Sequence, residues 1–390
     1  MAPGLFDRFR VIDVDTHISE PPGVFTERVS KKWGDLVPHV VRDAKSGKDF
    51  WAIGTRYVMP TAVAAVAGYD KLLPDFPDTL ADAVAGAWDA RARLAHMDRE
   101  KIHAQVLYPN LGGFGSGGFL RLGEPELMQE CVRAYNDFLI DWCSADAARL
   151  IPVCALPFWD VAASAAEIER CAKTGHRAVL FGSQPDSFGQ PKLPDPHWDP
   201  VWAAAQDCGL SISFHIGSGD VSDLMSGLRG MGIRTGIAHR SSLLFLENAQ
   251  CLADLVFGGI CHRFPRLRFV SVESGAGWVP STLETFDWQW QNNGVRSEHP
   301  EYELLPSEYF RRQIYACFWF EEHGVKTALE RYPDNLLYET DYPHPTSMAP
   351  GPVSIAEHPA EYAERVLGAL PETSLRKILH DNAAALYRVA

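Results

Sequence analysis

Eight short runs of β character recur along these 390 residues, separated by stretches with helical spacing. The runs cover 11–17, 104–109, 150–156, 176–181, 210–215, 267–273, 314–318 and 335–340. Between them apolar residues fall near a 3.6-residue period, as in Leu127, Cys131, Tyr135, Phe138 and Trp142. Strand and helix in alternation predict parallel strands joined by right-handed crossovers. Eight such units over a chain of this length predict a closed (β/α)8 TIM barrel, an α/β fold in one domain spanning 1–390. An open doubly wound sheet is the other candidate, and it would carry a Gly-rich phosphate fingerprint between a strand and its helix. The run Gly112-Gly113-Phe114-Gly115-Ser116-Gly117-Gly118 follows the second strand but lacks that register. It reads as a flexible loop over the barrel mouth.

A barrel places its chemistry at the carboxyl ends of its strands. The first run is Val11-Ile12-Asp13-Val14-Asp15-Thr16-His17, and the period-two alternation of a strand sends Asp15 and His17 to one side. His215 ends the fifth run, Glu273 ends the sixth, and Asp341 follows the eighth. Carboxylate and imidazole together suit zinc, manganese or iron. The predicted metal set is therefore Asp15, His17, His215, Glu273 and Asp341. Glu273 is also an acid/base candidate if desolvation holds its pKa near neutrality. His344, between two prolines beside Asp341, could orient a ligand or contact substrate, and His323 after the seventh strand is a further acid/base candidate. Arg240, in the long connection 216–242, could pair with a substrate carboxylate. His344, His323 and Arg240 each have a plainer reading as a packing or solvated side chain.

Residues 20–88 break the alternation. Trp33, Trp51 and Trp88 in this insertion call for burial, which predicts a cap or dimerisation arm, with a short helix over 61–68. Lys and Arg number 36 against 50 Asp and Glu, a net charge of −14 that disfavours nucleic acid and anionic membranes as partners. A small anionic substrate stays compatible, because a metal or a local Arg reverses the potential inside a pocket. The eight cysteines form no C-x-x-C pair, which predicts buried, reduced thiols and a cytoplasmic protein. Neither a signal-peptide core nor an 18-residue apolar run is present, so export and a membrane span are not expected.

Several motifs carry a family likeness. They are Asp15-Thr16-His17 with Glu20-Pro21, Arg93-Leu94-Ala95-His96-Met97-Asp98 before Val106-Leu107-Tyr108-Pro109, Phe214-His215, Arg263-Phe264-Pro265, Glu273-Ser274-Gly275-Ala276-Gly277-Trp278 and Thr340-Asp341-Tyr342-Pro343-His344-Pro345. In these the chain resembles the amidohydrolase superfamily, in the amidohydrolase-related branch that includes aminocarboxymuconate semialdehyde, γ-resorcylate and carboxyvanillate decarboxylases. The resemblance implies a barrel with a divalent metal, zinc or manganese first, held with one open coordination position. It places His17, His215 and Asp341 on family ligand positions, and Asp15 where the characterised decarboxylases have His or Glu. Those enzymes carry a proton-transferring His on the sixth strand, where this chain has Glu273.

The implied activity is decarboxylation or hydrolysis of a small carboxylate or carbonyl-containing substrate, with Glu273 shuttling the proton. Asp15, Glu273 and Asp341 also offer enough oxygens for a second ion, iron included, as in dinuclear oxygenases of the α-aminoisobutyrate hydroxylase type. A non-catalytic partner subunit of an active paralogue is the reading from a different class. Family and arm together imply a homodimer or higher oligomer, or a hetero-oligomer with such a paralogue.

Overall fold

The computed structural model describes residues 3–219 and 230–390. Eight parallel strands form one sheet in chain order: Val11–His17, Ile102–Tyr108, Leu150–Cys154, Ala178–Leu180, Ser211–His215, Phe269–Val272, Ile314–Phe318 and Leu336–Tyr338. The last strand returns to the first. Asp341 N donates to Asp15 O (3.0 Å), His17 N donates to Tyr342 O (2.8 Å), and Thr16 forms a parallel bridge with Tyr342. The sheet thus curls into the (β/α)8 barrel that the alternation predicts. Its longest helix, Pro125–Cys143, starts with proline where no intrahelical N–H is needed, and buries Leu127, Cys131, Tyr135, Phe138 and Trp142.

Alternate strand residues, among them Ile12, Val14, Val106, Val153, Leu180 and Val272, fill the barrel interior together with Leu386 and Tyr387. These last two belong to the final helix, Asn382–Tyr387. Arg177, just before the fourth strand, donates to Arg388 O (2.9 Å), which fixes that helix under the amino ends of the strands. The carboxyl ends are left as the mouth.

The seam between the first and eighth strands has little backbone pairing of its own, and a buried carboxylate supplements it. Asp13 accepts from Thr340 N (2.9 Å), Thr340 Oγ1 (2.6 Å) and Gln105 Nε2 (3.0 Å). Gln105 Oε1 in turn accepts from the buried Arg93, whose guanidinium also donates to His17 O (2.5 Å) and Gly86 O (2.6 Å). A register shift between Asp13 and Thr16 interrupts the pairing with the second strand. Such a shift breaks strict alternation, so Asp13 can serve the seam while Asp15 and His17 serve the mouth.

The helix expected over 61–68 and the loop expected over 216–242 need correcting. The insertion contains a three-stranded antiparallel sheet, His39–Arg42, Asp49–Ile53 and Arg56–Pro60, and 61–68 forms turns rather than a helix. Trp51 packs its ring edge on Phe25 at 5.8 Å, and Val66 N and Ala67 N both donate to Pro343 O (3.1 Å), so the insertion is anchored beside the eighth strand. The connection 216–242 carries a helix, Ile233–Ser241, while 220–229 lies outside the described residues. The glycine run packs closely: a Cβ on Gly115 would lie 2.9 Å from Gly182 Cα, so only glycine lets this loop rest on the end of the fourth strand. All eight cysteines are free, and all but Cys208 are buried. Among the described residues no helix is long and apolar enough to cross a membrane.

The seam is testable through Asp13. Replacing it by alanine strands three buried donors, and the free energy of unfolding should fall by about 3 kcal/mol in urea titration. A loss under about 1 kcal/mol would show that closure does not depend on this carboxylate.

Candidate metal centre and active site

The five predicted ligands meet at the mouth. His215 is the last residue of the fifth strand, Glu273 directly follows the sixth, and Asp341 lies three residues beyond the eighth. Two overlapping groups result, Asp15, His17, His215 and Glu273, and His17, Glu273, Asp341 and His344. In each group the ligand atoms all lie within 4.8 Å of one another. Both Glu273 (φ 53°) and Asp341 (φ 57°) adopt a left-handed backbone. That conformation is unfavourable for residues with a Cβ and is typically retained where function requires it.

The imidazoles are oriented for ligation. His215 Nδ1 pairs with Ile216 O (2.8 Å) and His17 Nδ1 approaches Pro109 O (3.4 Å). With those nitrogens donating to carbonyls, each ring turns an Nε2 lone pair inward. The two Nε2 atoms lie 3.2 Å apart, His17 Nε2 is 3.3 Å from Asp15 Oδ1 and 3.4 Å from Asp341 Oδ1, and His215 Nε2 is 3.3 Å from Glu273 Oε2. Asp15 Oδ1 and Oδ2, Asp341 Oδ1 and Glu339 Oε1 are buried without any hydrogen-bond donor. Carboxylate oxygens stranded beside inward-facing imidazole nitrogens are the donor set of a divalent cation, and the residues present fit one.

Burial works against charge on each of these groups, and the neighbours decide the outcome. For Asp15 the two histidines outweigh burial and hold the carboxylate below its usual range; for Asp341, His344 and His17 do the same. Glu273 goes the other way: burial and then Asp341 push it up to about 8. On His215 burial is outweighed by Asp15 and Glu273, which push it up to about 9, so the ring holds a proton that ligation of a cation would displace.

His344 joins the site. Its ring stacks on His17 (3.5 Å, 13°), its Nδ1 lies 3.0 Å from Asp341 Oδ1, and its Nε2 pairs with Asn110 Oδ1 (2.8 Å). Asn110 is itself fixed, because the buried Glu20 accepts from Asn110 N (2.8 Å) and Leu111 N (3.1 Å). The loop that follows brings Phe114 onto His215 (4.0 Å) and His17 (5.1 Å), which roofs the histidines with an apolar ring. Thr346 Oγ1 sits between the acids, bonding Asp341 Oδ2 and lying 3.2 Å from Glu273 Oε1.

One candidate is not gathered here. His323 is exposed at the start of the helix Gly324–Arg331, outside both ligand groups, because the turn after the seventh strand leads it to the surface. Arg240 occupies the last turn of Ile233–Ser241, part-exposed, and its charge reaches Glu247, which also feels His215. Conversely, sequence reasoning passed over Glu339, which is fully buried, accepts from Glu273 N (3.3 Å), and feels the charges of Asp15, Glu273 and Asp341. The signal was present: Glu339 and Asp341 stand two apart, like Asp15 and His17.

Removing a carboxylate from this set should empty it. Asp341→Ala is expected to reduce metal per chain, measured by elemental analysis of protein purified without chelator, to near zero. Full metal content in that variant would exclude Asp341 as a ligand.

A family model described as amidohydrolase matches residues 12–389. The γ-resorcylate decarboxylase of Polaromonas sp. is 24% identical over 330 residues, covering 82% of this chain and 92% of that protein. An amidohydrolase of Mycobacterium avium subsp. paratuberculosis superposes with a TM-score of 0.75 at 24% identity, covering 97% of this chain and 99% of that one. A dihydroxybenzoic acid decarboxylase of Polaromonas sp., solved with bound manganese and the inhibitor 2-nitroresorcinol, superposes with a TM-score of 0.62 at 18% identity over 98% of this chain and 97% of that one.

Proposed function

Since the chain belongs to the amidohydrolase family, we propose that it is a metal-dependent enzyme that decarboxylates or hydrolyses a small substrate bearing a carboxylate or carbonyl group. The observation that carries this reading is the position of Glu273. Its carboxyl group lies against both a histidine ligand candidate, His215, and the hydroxyl of Thr346, at the centre of the buried oxygen and nitrogen set. Asp15, His17, His215 and Asp341 would hold a divalent ion, with zinc or manganese favoured by the donor set and manganese by the decarboxylase that binds it. When bound, such an ion supplies Lewis acidity toward a carboxylate or carbonyl oxygen.

The chain's own groups do the rest. In decarboxylation the carbon that loses carbon dioxide needs a proton, and Glu273 is placed to deliver one from a carboxyl oxygen. In hydrolysis the attacking water must lose a proton, and the same carboxylate is placed to accept it. Thr346 Oγ1 orients that carboxyl group from one side. His344, fixed by Asn110, would contact the substrate at the edge of the site. Phe114 keeps bulk water from the histidines, which strengthens every charge interaction beneath it.

A second reading rests on Glu339 and on the overlap of the two ligand groups. Four buried carboxylates and two or three histidines offer more donors than one ion uses. A dinuclear oxygenase, with iron among its metals, would use the surplus. The silent-subunit reading has less support, since a barrel that had lost its activity has no reason to keep five buried ligand atoms in register.

Glu273→Gln separates the two catalytic readings. If Glu273 only moves protons, the variant should keep one metal per chain and lose at least about 100-fold in turnover. The assay is carbon dioxide release or hydrolysis across a panel of aromatic and aliphatic carboxylates. Loss of one of two metal equivalents, with iron present in the parent protein, would support the dinuclear site instead.

A further inference from the structure

We infer that the substrate is a monocarboxylic acid with an extended apolar body, seated in a chamber that the insertion builds beside the metal centre. The inference deepens the metal-dependent reading above and rests on it. A cavity of about 700 Å³ opens at the barrel mouth between arm residues 66–73 and the segment 344–357 that follows the eighth strand. Its floor is His344 and Thr346. His344 touches Asp341 and Thr346 touches both Asp341 and Glu273, so the cavity reaches the buried acids through these two side chains.

Two features of the walls define the occupant. Leu72, Phe320, Val353 and Ile355 all line the cavity, yet all are large apolar side chains exposed to water, with Phe320 61% exposed. Apolar surface concentrated around one opening is a binding surface rather than scatter. Of the three charged wall residues, Arg365 and Glu357 neutralise each other, with Arg365 also pairing with Glu322 (3.0 Å), and the exposed Lys71 stands as a cation beside Leu72 on the arm wall. A chamber of this size would hold on the order of twenty waters, more than twice the heavy atoms of a single-ring acid. With a metal ion as the stronger anchor the carboxylate belongs at the floor, against the metal centre, and the body along Leu72 and Phe320 toward the exterior. Val66 and Ala67, pinned to Pro343 O, hold the arm wall at a fixed distance from His344. On this reading the arm sets the length of substrate that the barrel accepts.

The test is calorimetric titration of the manganese-loaded protein with benzoate, 3-phenylpropanoate and 6-phenylhexanoate. Affinity should rise roughly two- to fourfold per added methylene. The double variant Leu72→Ser with Phe320→Ser should flatten the series, and because both side chains are exposed it should fold and keep its metal. A flat series in the parent protein, or a rising one that the double variant leaves unchanged, overturns the chamber. Affinity for the long acid that falls as protein concentration rises assigns the apolar rim to a second copy of the chain, and overturns it too. Chain-length dependence that persists after manganese is removed keeps the chamber but overturns the metal as anchor. No binding by any of the three acids overturns both readings.

Discussion

The constraint on which the rest of this structure depends is electrostatic. Asp15, Glu273, Glu339 and Asp341 are all brought out of water at the meeting point of four strand ends, with several of their oxygens lacking any donor. Moving one carboxylate into a low-dielectric interior is costly, and four that face one another compound the cost. Protons offset part of it, as the upward shifts of Glu273 and Glu339 indicate, and the histidines offset another part on Asp15 and Asp341. A divalent cation would offset the remainder with one centre, because it can answer carboxylate oxygens and imidazole lone pairs together. The left-handed backbone at Glu273 and Asp341 fits the same picture, since local strain is retained only where something else requires it.

That site is assembled across the least continuous part of the barrel. Asp15 and His17 come from the first strand and Asp341 from just past the eighth, and the backbone joins those strands through a single bridge and two hydrogen bonds. Asp13, Gln105 and Arg93 supply the missing rigidity as a buried polar chain that ends on His17 O. Such a chain stabilises only when every member is satisfied. Stability of the seam and geometry of the candidate ligands are thus two consequences of the same contacts.

Much of this was legible in the sequence, for identifiable reasons. Parallel strands buried on both faces read as short apolar runs, and all eight appear where such runs occur. Asp15, His17, His215, Glu273 and Asp341 were visible because a strand end is a fixed address in a barrel. The three-stranded sheet of the insertion was hidden, since His39–Arg42 and Arg56–Pro60 are only half-buried and alternate weakly. Asp13 was hidden by the register shift that separates its role from that of Asp15. His323 follows a strand in sequence, yet the turn after that strand leads its side chain to the surface. Position after a strand is a weaker address with each residue beyond its end, and contacts such as those of His344 with Asp341 and Asn110 decide which later residues stay at the mouth.

The loop after the first strand is a part of a barrel with freedom to vary. Strand ends are bound by the metal-site geometry, and the helices by packing against the sheet, but a loop after the first strand can lengthen without disturbing either. Here that loop has its own sheet, a buried tryptophan and an anchor on Pro343, so it presents a fixed wall rather than a mobile flap. A fixed wall beside a fixed set of reacting groups can measure substrate length, because neither side yields when a ligand is too short to span them. Chemistry and specificity would then sit on separate parts of the chain. The strand ends would determine which bond is broken, and residues 66–73 with 344–357 would determine whose. Their common boundary is His344 and Thr346, which line the chamber on one side and touch the buried acids on the other.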